Sequence, residues 1–303
     1  MANALVSGGV RSWYTRAASG RWTVPAFIIV WTVVVIVPLF LLLLYSFLET
    51  KGFKVVWDPS FHTWDRFFET GRWTVAMRTL RIAIGMTVIE LVLAFPFALW
   101  LAKGCRSQGL KAILLTLLTI PFFLDLSSRT IIWRALLGSN GVVNTVLMEL
   151  GITSEPVEWL IFTEFSVFFG LAAPYFATMV FPIFLVATLI DDEYLDASRD
   201  LGANPLQTLF LVIVPLCLPG VIAGVVFTMV PMMGEWVVPQ LMGGGKVNMI
   251  GRSTEDALST LNYPTAASLS AFVLAILVAL LAALTLLTRR RGGVAGLFEA
   301  LKL

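Results

Sequence analysis

Long apolar runs constrain this chain more than any other feature of its sequence. A helix needs about 20 mostly apolar residues to cross the hydrocarbon core of a bilayer. Six segments meet or approach that length, at about residues 24–48, 82–102, 110–126, 165–190, 206–233 and 266–287. The third segment is short, and residues 131–137 offer a continuation. Because 58% of the 303 residues are hydrophobic and only 13% are charged, we predict an all-α transmembrane protein that forms a single domain over residues 1–303.

Basic residues at the ends of the apolar runs predict the orientation of the chain. Loops on the cytoplasmic side of a membrane carry an excess of lysine and arginine. Such residues precede the first run, fill the loop between the second and third, and follow the last: Arg11, Arg16, Arg21, Lys103, Arg106, Lys111, Arg289, Arg290 and Arg291. Both termini are therefore predicted to be cytoplasmic. This placement requires an even number of spans, and six satisfies it.

The sequence offers little for a metal, a nucleotide or a nucleic acid. It has one histidine, His62, and two cysteines, Cys105 and Cys217, that lie in unrelated settings. The segment GGGKV at residues 243–247 lacks the first glycine and the final Ser/Thr of a phosphate-binding loop. The net charge of +2 is too small to indicate nucleic acid. We therefore expect no metal, no cofactor and no catalytic residue in this chain.

A short charged segment, DDEYLDASRDLGANP, separates the fourth and fifth apolar runs at about residues 191–206. Helical spacing places four of its residues on one face: Glu193, Asp196, Ala197 and Asp200. Gly202 is placed to end this helix in a left-handed cap, and Pro205 prevents its simple continuation. The segment is predicted to be a short helix that presents a fixed surface to the cytoplasm.

The residues of this segment follow a known pattern, E-A-A-x-x-x-G, then nine residues, then I-x-L-P. The tripeptide 196–198 stands at E-A-A, Gly202 at the glycine and residues 212–215 at the final tetrad. The segment thus resembles the coupling loop of permease subunits from bacterial ATP-binding-cassette (ABC) importers. The resemblance implies a six-helix type I importer permease fold with a cytoplasmic coupling helix. It assigns ATPase coupling to Asp196, Ala197, Ser198, Arg199, Asp200, Leu201, Gly202 and Ala203.

Two segments on the predicted outer side narrow the resemblance. Both segments are similar to permeases of spermidine/putrescine importers and their relatives. One is the stretch IPFFLDLSSRTIIWRALLGSNGVVN, with Arg129 and Trp133, and the other is the stretch GEWVVPQLMGG, with Glu235 and Trp236. Asp125, Ser128 and the tyrosine of NYP, Tyr263, depart from the commoner residues of that group. These departures lie near the expected translocation path, so they put the identity of the solute in doubt more than the predicted fold.

This resemblance also implies the location and the partners of the chain. It places the chain in the bacterial inner membrane as a multi-pass subunit that is not itself an enzyme. Two ATP-binding-cassette ATPase subunits would bind ATP and Mg²⁺. A second permease, a different but homologous chain, and an extracytoplasmic solute-binding protein would complete the assembly.

Ionisable residues within apolar spans are functional candidates because an unpaired charge in hydrocarbon costs at least about 2.5–3.5 kcal/mol. Carboxylates combined with aromatic faces can hold flexible cations by ion pairing and cation–π contact. Seven residues are predicted to line the translocation path or its gate: Glu90, Asp125, Arg129, Trp133, Tyr175, Glu235 and Trp236. The predicted solute is a polyamine or a related cationic compound.

Several alternatives remain open at this stage. Asp125 and Arg129 are four residues apart and could pair with each other, and Glu90 could bond to a neighbouring span. An ion-coupled secondary transporter could use Glu90 and Asp125 as a relay, although no inverted repeat is found. An intramembrane enzyme would need a catalytic signature, and none is recognised.

Overall fold

A computed structural model describes residues 23–52 and 54–289. Within these residues, six helical stretches are long and apolar enough to cross a membrane: Val24–Tyr45, Arg72–Gly104, Leu126–Glu149, Glu164–Thr188, Pro205–Met233 and Tyr263–Leu286. Five of them overlap a predicted span, and Leu126–Glu149 lies beyond the predicted third span. The terminal basic residues used to predict orientation are outside the described part of the chain, namely Arg11, Arg16, Arg21, Arg290 and Arg291.

Fourteen α-helices cover most of the described residues. In chain order they are α1 (Thr23–Trp31), α2 (Val37–Tyr45), α3 (His62–Glu69), α4 (Arg72–Leu99), α5 (Gln108–Phe123), α6 (Leu126–Leu137), α7 (Val142–Glu149), α8 (Glu164–Leu189), α9 (Asp192–Asp200), α10 (Pro205–Thr208), α11 (Val214–Met233), α12 (Val237–Met242), α13 (Ile250–Ser259) and α14 (Tyr263–Arg289). Short π-helical segments at Thr32–Ile36, Trp100–Gly104 and Leu209–Ile213 extend the adjoining helices, and a 3-10 turn covers Glu158–Leu160.

The predicted third span is broken near its end. Helix α5 has 16 residues and ends at Phe123, and helix α6 resumes at Leu126. The Asp125 carboxylate accepts a hydrogen bond from the Ser128 N–H at 3.1 Å, so it caps α6. A capping residue adopts a non-helical backbone, which explains why the helix does not run on through residue 126 as predicted. The continuation predicted over residues 131–137 is helical and belongs to α6.

A short hairpin interrupts the helices of the described residues, and it leaves the all-α class of the fold unchanged. Strand β1 (Glu49–Lys51) pairs antiparallel with β2 (Lys54–Val56), directly after the first membrane helix. Gly52 has a φ of +54° in the turn between the strands, a conformation that glycine adopts without a steric penalty. The paired strands are three residues long, too short to show a recognisable alternating pattern in the sequence.

Helix α8 is the centre of the bundle, because it packs most extensively against α11 and also against α4. Two glycines of α11, Gly220 and Gly224, allow the close approach. A Cβ at Gly220 would lie 2.6 Å from the Pro182 carbonyl oxygen, and one at Gly224 would lie 2.8 Å from the Met179 sulfur. Small residues four apart are a common means of bringing membrane helices into backbone contact.

Two apolar clusters fill the bundle on either side of its middle. The first apolar cluster includes Ile82, Ala83 and Met86 of α4, Leu171 and Tyr175 of α8, Met229, Met232 and Met233 of α11, and Val238 and Met242 of α12. The second apolar cluster includes Ala94 and Ala98 of α4, Leu101, and Met179, Val180 and Ile183 of α8. Helix α11 contributes to the second cluster through Val221 and Val225, which are partly buried. The same three helices, α4, α8 and α11, therefore contribute to both clusters.

We predict that Gly220→Ala destabilises the bundle, because its new methyl group would overlap the backbone of α8. Overpacking of this kind typically costs about 1–3 kcal/mol. Gly109→Ala is the matched control, since a Cβ there would approach nothing closer than the Ser107 hydroxyl at 4.0 Å. Thermal unfolding of the detergent-solubilised protein should show a lower Tm for Gly220→Ala and an equal or higher Tm for Gly109→Ala. Equal Tm values for Gly220→Ala and the native chain would contradict the close contact.

Candidate functional site

The seven predicted path residues fall into a buried group and a more exposed group. Glu90 is 1% exposed, Glu235 is 7% exposed and Tyr175 is 8% exposed. Arg129 is partly buried and contributes two fully buried nitrogen atoms. By contrast, Asp125 is exposed at the break between α5 and α6, where it caps α6.

Tyr175 and Glu235 form a hydrogen-bonded pair between α8 and the end of α11. The Tyr175 hydroxyl donates to Oε2 of Glu235 at 3.3 Å, and Oε1 accepts a hydrogen bond from the Val237 N–H at 2.7 Å. Gly251, at the start of α13, packs against the carbonyl groups of Gly234 and Glu235, where a Cβ would not fit. The Glu235 carboxylate is thus fixed by both the tyrosine and the backbone.

Glu90 and Arg129 are buried without hydrogen-bond partners among the described residues. Both carboxylate oxygens of Glu90 lack a partner, and so do Nε and Nη1 of Arg129. The charges of both residues act on the hydroxyl of Tyr175, so Tyr175 lies within electrostatic range of each. The alternative pairing of Arg129 with Asp125 does not form, because Asp125 caps α6 instead. Glu90 likewise makes no bond to a neighbouring span in the described structure.

Three threonines join this region and were not predicted from the sequence. The Thr87 hydroxyl is buried and unpartnered one turn before Glu90, and Thr178 bonds to Thr228 at 3.0 Å between α8 and α11. Thr87 and Thr178 are each three residues from a predicted path residue, so helical spacing could have found them. We use the term polar layer for Thr87, Glu90, Arg129, Tyr175, Thr178, Thr228 and Glu235.

The two predicted tryptophans have other surroundings. Trp133 packs edge-on against Phe169 with ring centroids 4.7 Å apart, and it borders the first apolar cluster. Trp236 lines a cleft of about 250 Å³ together with Gly234, Gly251 and Glu255. The cleft adjoins the turn that carries Glu235, so Trp236 lies beside the polar layer rather than within it.

The loop between α8 and α11 has the predicted helix and the predicted cap. Helix α9 ends at Asp200, and Gly202 follows with a φ of +78°. The Gly202 N–H donates to the Arg199 carbonyl at 2.8 Å, and the Ala203 N–H donates to the Ser198 carbonyl at 3.0 Å. The left-handed glycine and these bonds give the end of the helix a defined shape.

Most of the predicted coupling residues are exposed on α9 and its cap. Asp196 and Arg199 form a surface ion pair at 2.9 Å. Leu201 is 88% exposed, and Leu206, just beyond the cap, is 66% exposed. The loop therefore presents two projecting leucines beside a charged helix.

Ser198 differs from the other predicted coupling residues because its side chain points into the loop. It is buried, and its hydroxyl is 2.9 Å from that of Thr208 in α10. Helix α10 starts with a capping box in which Asn204 and Gln207 exchange hydrogen bonds with each other's backbone N–H groups. Ser198 and the capping box together hold α9 in a fixed position relative to the start of the fifth span.

Lys103 anchors the other end of α9, a role that its position in the sequence does not indicate. Its ammonium group donates a hydrogen bond to the Ile190 carbonyl and another, at 2.7 Å, to the Asp192 carboxylate. The hydrogen bond and the charge of Lys103 hold the pKa of Asp192 below its usual value. Lys103 lies at the end of the second span, so it ties that span to the start of the loop helix.

An apolar helix bundle with a buried polar layer and an exposed, charged loop between two spans is the architecture expected of a membrane permease. Comparison with known proteins supports this class directly. The family model described as "Binding-protein-dependent transport system inner membrane component" matches residues 83–291. The chain belongs to this family, and it is the permease subunit of a binding-protein-dependent ABC importer in the inner membrane.

Two curated relatives and one solved structure extend this result. The chain is 32% identical over 249 residues to the spermidine/putrescine transport system permease protein PotB of Haemophilus influenzae, covering 82% of this chain and 86% of that protein. It is 37% identical over 177 residues to the permease protein PotB of Escherichia coli, covering 58% of this chain and 63% of the relative. A bacterial alginate ABC transporter crystallised with an alginate pentasaccharide-bound periplasmic protein contains a similar chain, with a TM-score of 0.64.

The solved structure shows the fold alone, since the two chains are 15% identical over 92% of this chain and 95% of the other. The predicted type I importer permease fold is therefore confirmed. Membership of the family also confirms the prediction that the chain is a permease rather than an enzyme. The ion-coupled secondary transporter is not favoured, because the family model describes a component of a binding-protein-dependent system.

We predict that Lys103→Met weakens the mechanical link between the second span and α9, because it removes both hydrogen bonds at the start of the helix. The number of solutes imported per ATP hydrolysed should fall several-fold, while assembly of the subunits is retained. Lys54→Met is the matched control, because Lys54 is an exposed lysine on strand β2, and it should leave this ratio unchanged. An unchanged ratio in Lys103→Met would show that the anchor has no part in coupling.

Proposed function

We propose that this chain forms half of the translocation path of an ATP-driven importer for polyamines or related cationic solutes. The observation that carries the solute class is the burial of two acids, Glu90 and Glu235, in the bundle that holds Tyr175. The relatives named as spermidine/putrescine permeases support the same solute class. Carboxylates and an aromatic ring are the groups expected to hold an aliphatic ammonium ion.

The proposed path uses the predicted residues in different ways. Glu90, Arg129, Tyr175 and Glu235 form its central, charged part, and Trp236 lines the neighbouring cleft. Asp125 is exposed at the break between α5 and α6, where it would be open to a passing cation. Trp133 supports α6 through its contact with Phe169.

The proposed partners follow from what this chain lacks and what it presents. Its sequence has no nucleotide-binding motif, so ATP and Mg²⁺ would bind to two separate ATPase subunits. One chain offers one loop helix, so a second, homologous permease would serve the other ATPase. A solute-binding protein would dock on the opposite side of the membrane, and both termini would be cytoplasmic.

Helix α9 and its cap are the proposed docking element for the ATPase. Leu201 and Leu206 project from the loop as an apolar tip, and Asp196, Arg199 and Asp200 surround it with charge. A small apolar contact with a polar rim is the usual composition of a specific protein interface. Because α9 is held at both ends, closure of the ATPase pair would move the attached spans as a rigid body.

We predict that Leu201→Asp prevents docking, because it would place an unpaired carboxylate in the apolar contact. The amount of ATPase subunit that co-purifies with the permease should fall about tenfold or more. Leu150→Asp is the matched control, since Leu150 is a similarly exposed leucine (68%) at the end of α7. Undiminished co-purification with Leu201→Asp would exclude this leucine from the contact.

The solute and the energy source can be tested together in proteoliposomes that contain the whole assembly. We predict uptake of radiolabelled putrescine or spermidine that requires ATP, the ATPase subunits and the solute-binding protein. Collapse of pH and sodium gradients should leave the initial rate unchanged. Uptake without the ATPase that follows either gradient would instead support the ion-coupled alternative with Glu90 and Asp125. ATP-driven uptake of a neutral or anionic solute only would overturn the proposed solute class.

A further inference from the structure

The polar layer lies between the two apolar clusters on each of the three central helices. Along α4, Met86 belongs to the first apolar cluster and Ala94 to the second, and Glu90 lies midway between them. Along α8, Thr178 lies between Tyr175 of the first cluster and Met179 of the second. The layer therefore separates the two apolar clusters along these helices.

Glu90 is the acid in the polar layer whose bonding capacity is least satisfied. It is 1% exposed, and neither of its carboxylate oxygens has a partner in the described structure. The neighbouring Thr87 hydroxyl is also buried without a partner. Buried polar groups in native proteins are normally hydrogen-bonded, so these three oxygen atoms indicate a site for a hydrogen-bond donor that enters from outside.

The chemistry of the polar layer indicates what kind of donor fits. Its ionisable groups besides Tyr175 are Glu90, Glu235 and Arg129, two acids and one base. The unpartnered atoms of Glu90 and Thr87 are oxygen atoms that accept hydrogen bonds. A cationic group that donates several hydrogen bonds therefore fits this site better than an anionic one.

We propose that Glu90 binds a primary ammonium group of the solute in an occluded site, with the Thr87 hydroxyl as a second acceptor. This inference rests on the proposed function, and it deepens that function by separating the roles of the two acids. Glu235 is already held by Tyr175 and the Val237 N–H, so it has a supporting role. The methylene chain of a diamine would lie against the apolar clusters, which match it chemically.

The test measures direct binding of radiolabelled putrescine to the solubilised permease–ATPase complex. The solute-binding protein is left out, and binding is measured both with and without ATP and vanadate. Native complex is compared with Glu90→Gln, Glu90→Asp and the control Glu149→Gln, an exposed acid at the end of α7. Unlabelled putrescine, butane-1,4-diol and succinate serve as competitors of similar length and different charge.

We expect Glu90→Gln to weaken putrescine binding about tenfold or more, the loss typical of a removed charge-assisted hydrogen bond. Glu90→Asp should bind with intermediate affinity, because it restores the charge on a shorter side chain. Glu149→Gln should bind like the native complex, and only the diamine should compete. Unchanged Tm values in all variants would show that the loss of putrescine binding does not come from misfolding. If Glu90→Gln does not assemble, Glu90→Asp is the variant whose binding is compared with the native complex.

Failure of this inference can be distinguished from failure of the proposed function by uptake with the native assembly. If the native assembly imports putrescine and Glu90→Gln binds it as tightly as the native complex, the inference is wrong and the proposed function stands. Competition by the diol equal to that by the diamine would also overturn the inference. If the native assembly imports no cationic solute, the proposed function itself fails.

Discussion

The close contact between α8 and α11 is the interaction on which the rest of the structure depends. Gly220 and Gly224 bring the α11 backbone against the α8 backbone near Pro182 and Met179. Membrane helices gain little from hydrophobic association in lipid, so tight packing between small residues must hold them together. Both apolar clusters and the polar layer are built on this pair of helices and on α4, so their geometry follows from the contact.

Placing polar groups between two well-packed apolar clusters is unfavourable unless the groups have partners. Thr178 and Thr228 satisfy each other across the contact, and Tyr175 satisfies one oxygen of Glu235. Glu90 has no such partner. Stability alone would favour an apolar residue at position 90. An acid at this position is therefore better explained by a function in transport than by packing.

The sequence predicted the features that depend on composition and local spacing. The apolar runs, the helix of residues 192–200 and the left-handed Gly202 follow from helix length, charge pattern and cap chemistry. The break at Asp125 and the hairpin after the first span depend on single residues within short segments, so their signals are weak. The burial of Glu90 and the hydrogen bond between Tyr175 and Glu235 could not be predicted in detail, because helices that are apolar on all sides do not reveal which face points inward.

Helix α4 connects the two regions that carry the proposed function. It bears Glu90 in its middle, and the π-helical segment at its end bears Lys103, which bonds to the start of α9. The two residues are about 20 Å apart along the helix axis at a rise of about 1.5 Å per residue. A continuous helix transmits displacement over this length more faithfully than a chain of side-chain contacts. Movement of the docked loop would therefore reach the polar layer through α4 as well as through α8 and α11, and the apolar clusters on either side of the layer would shift together.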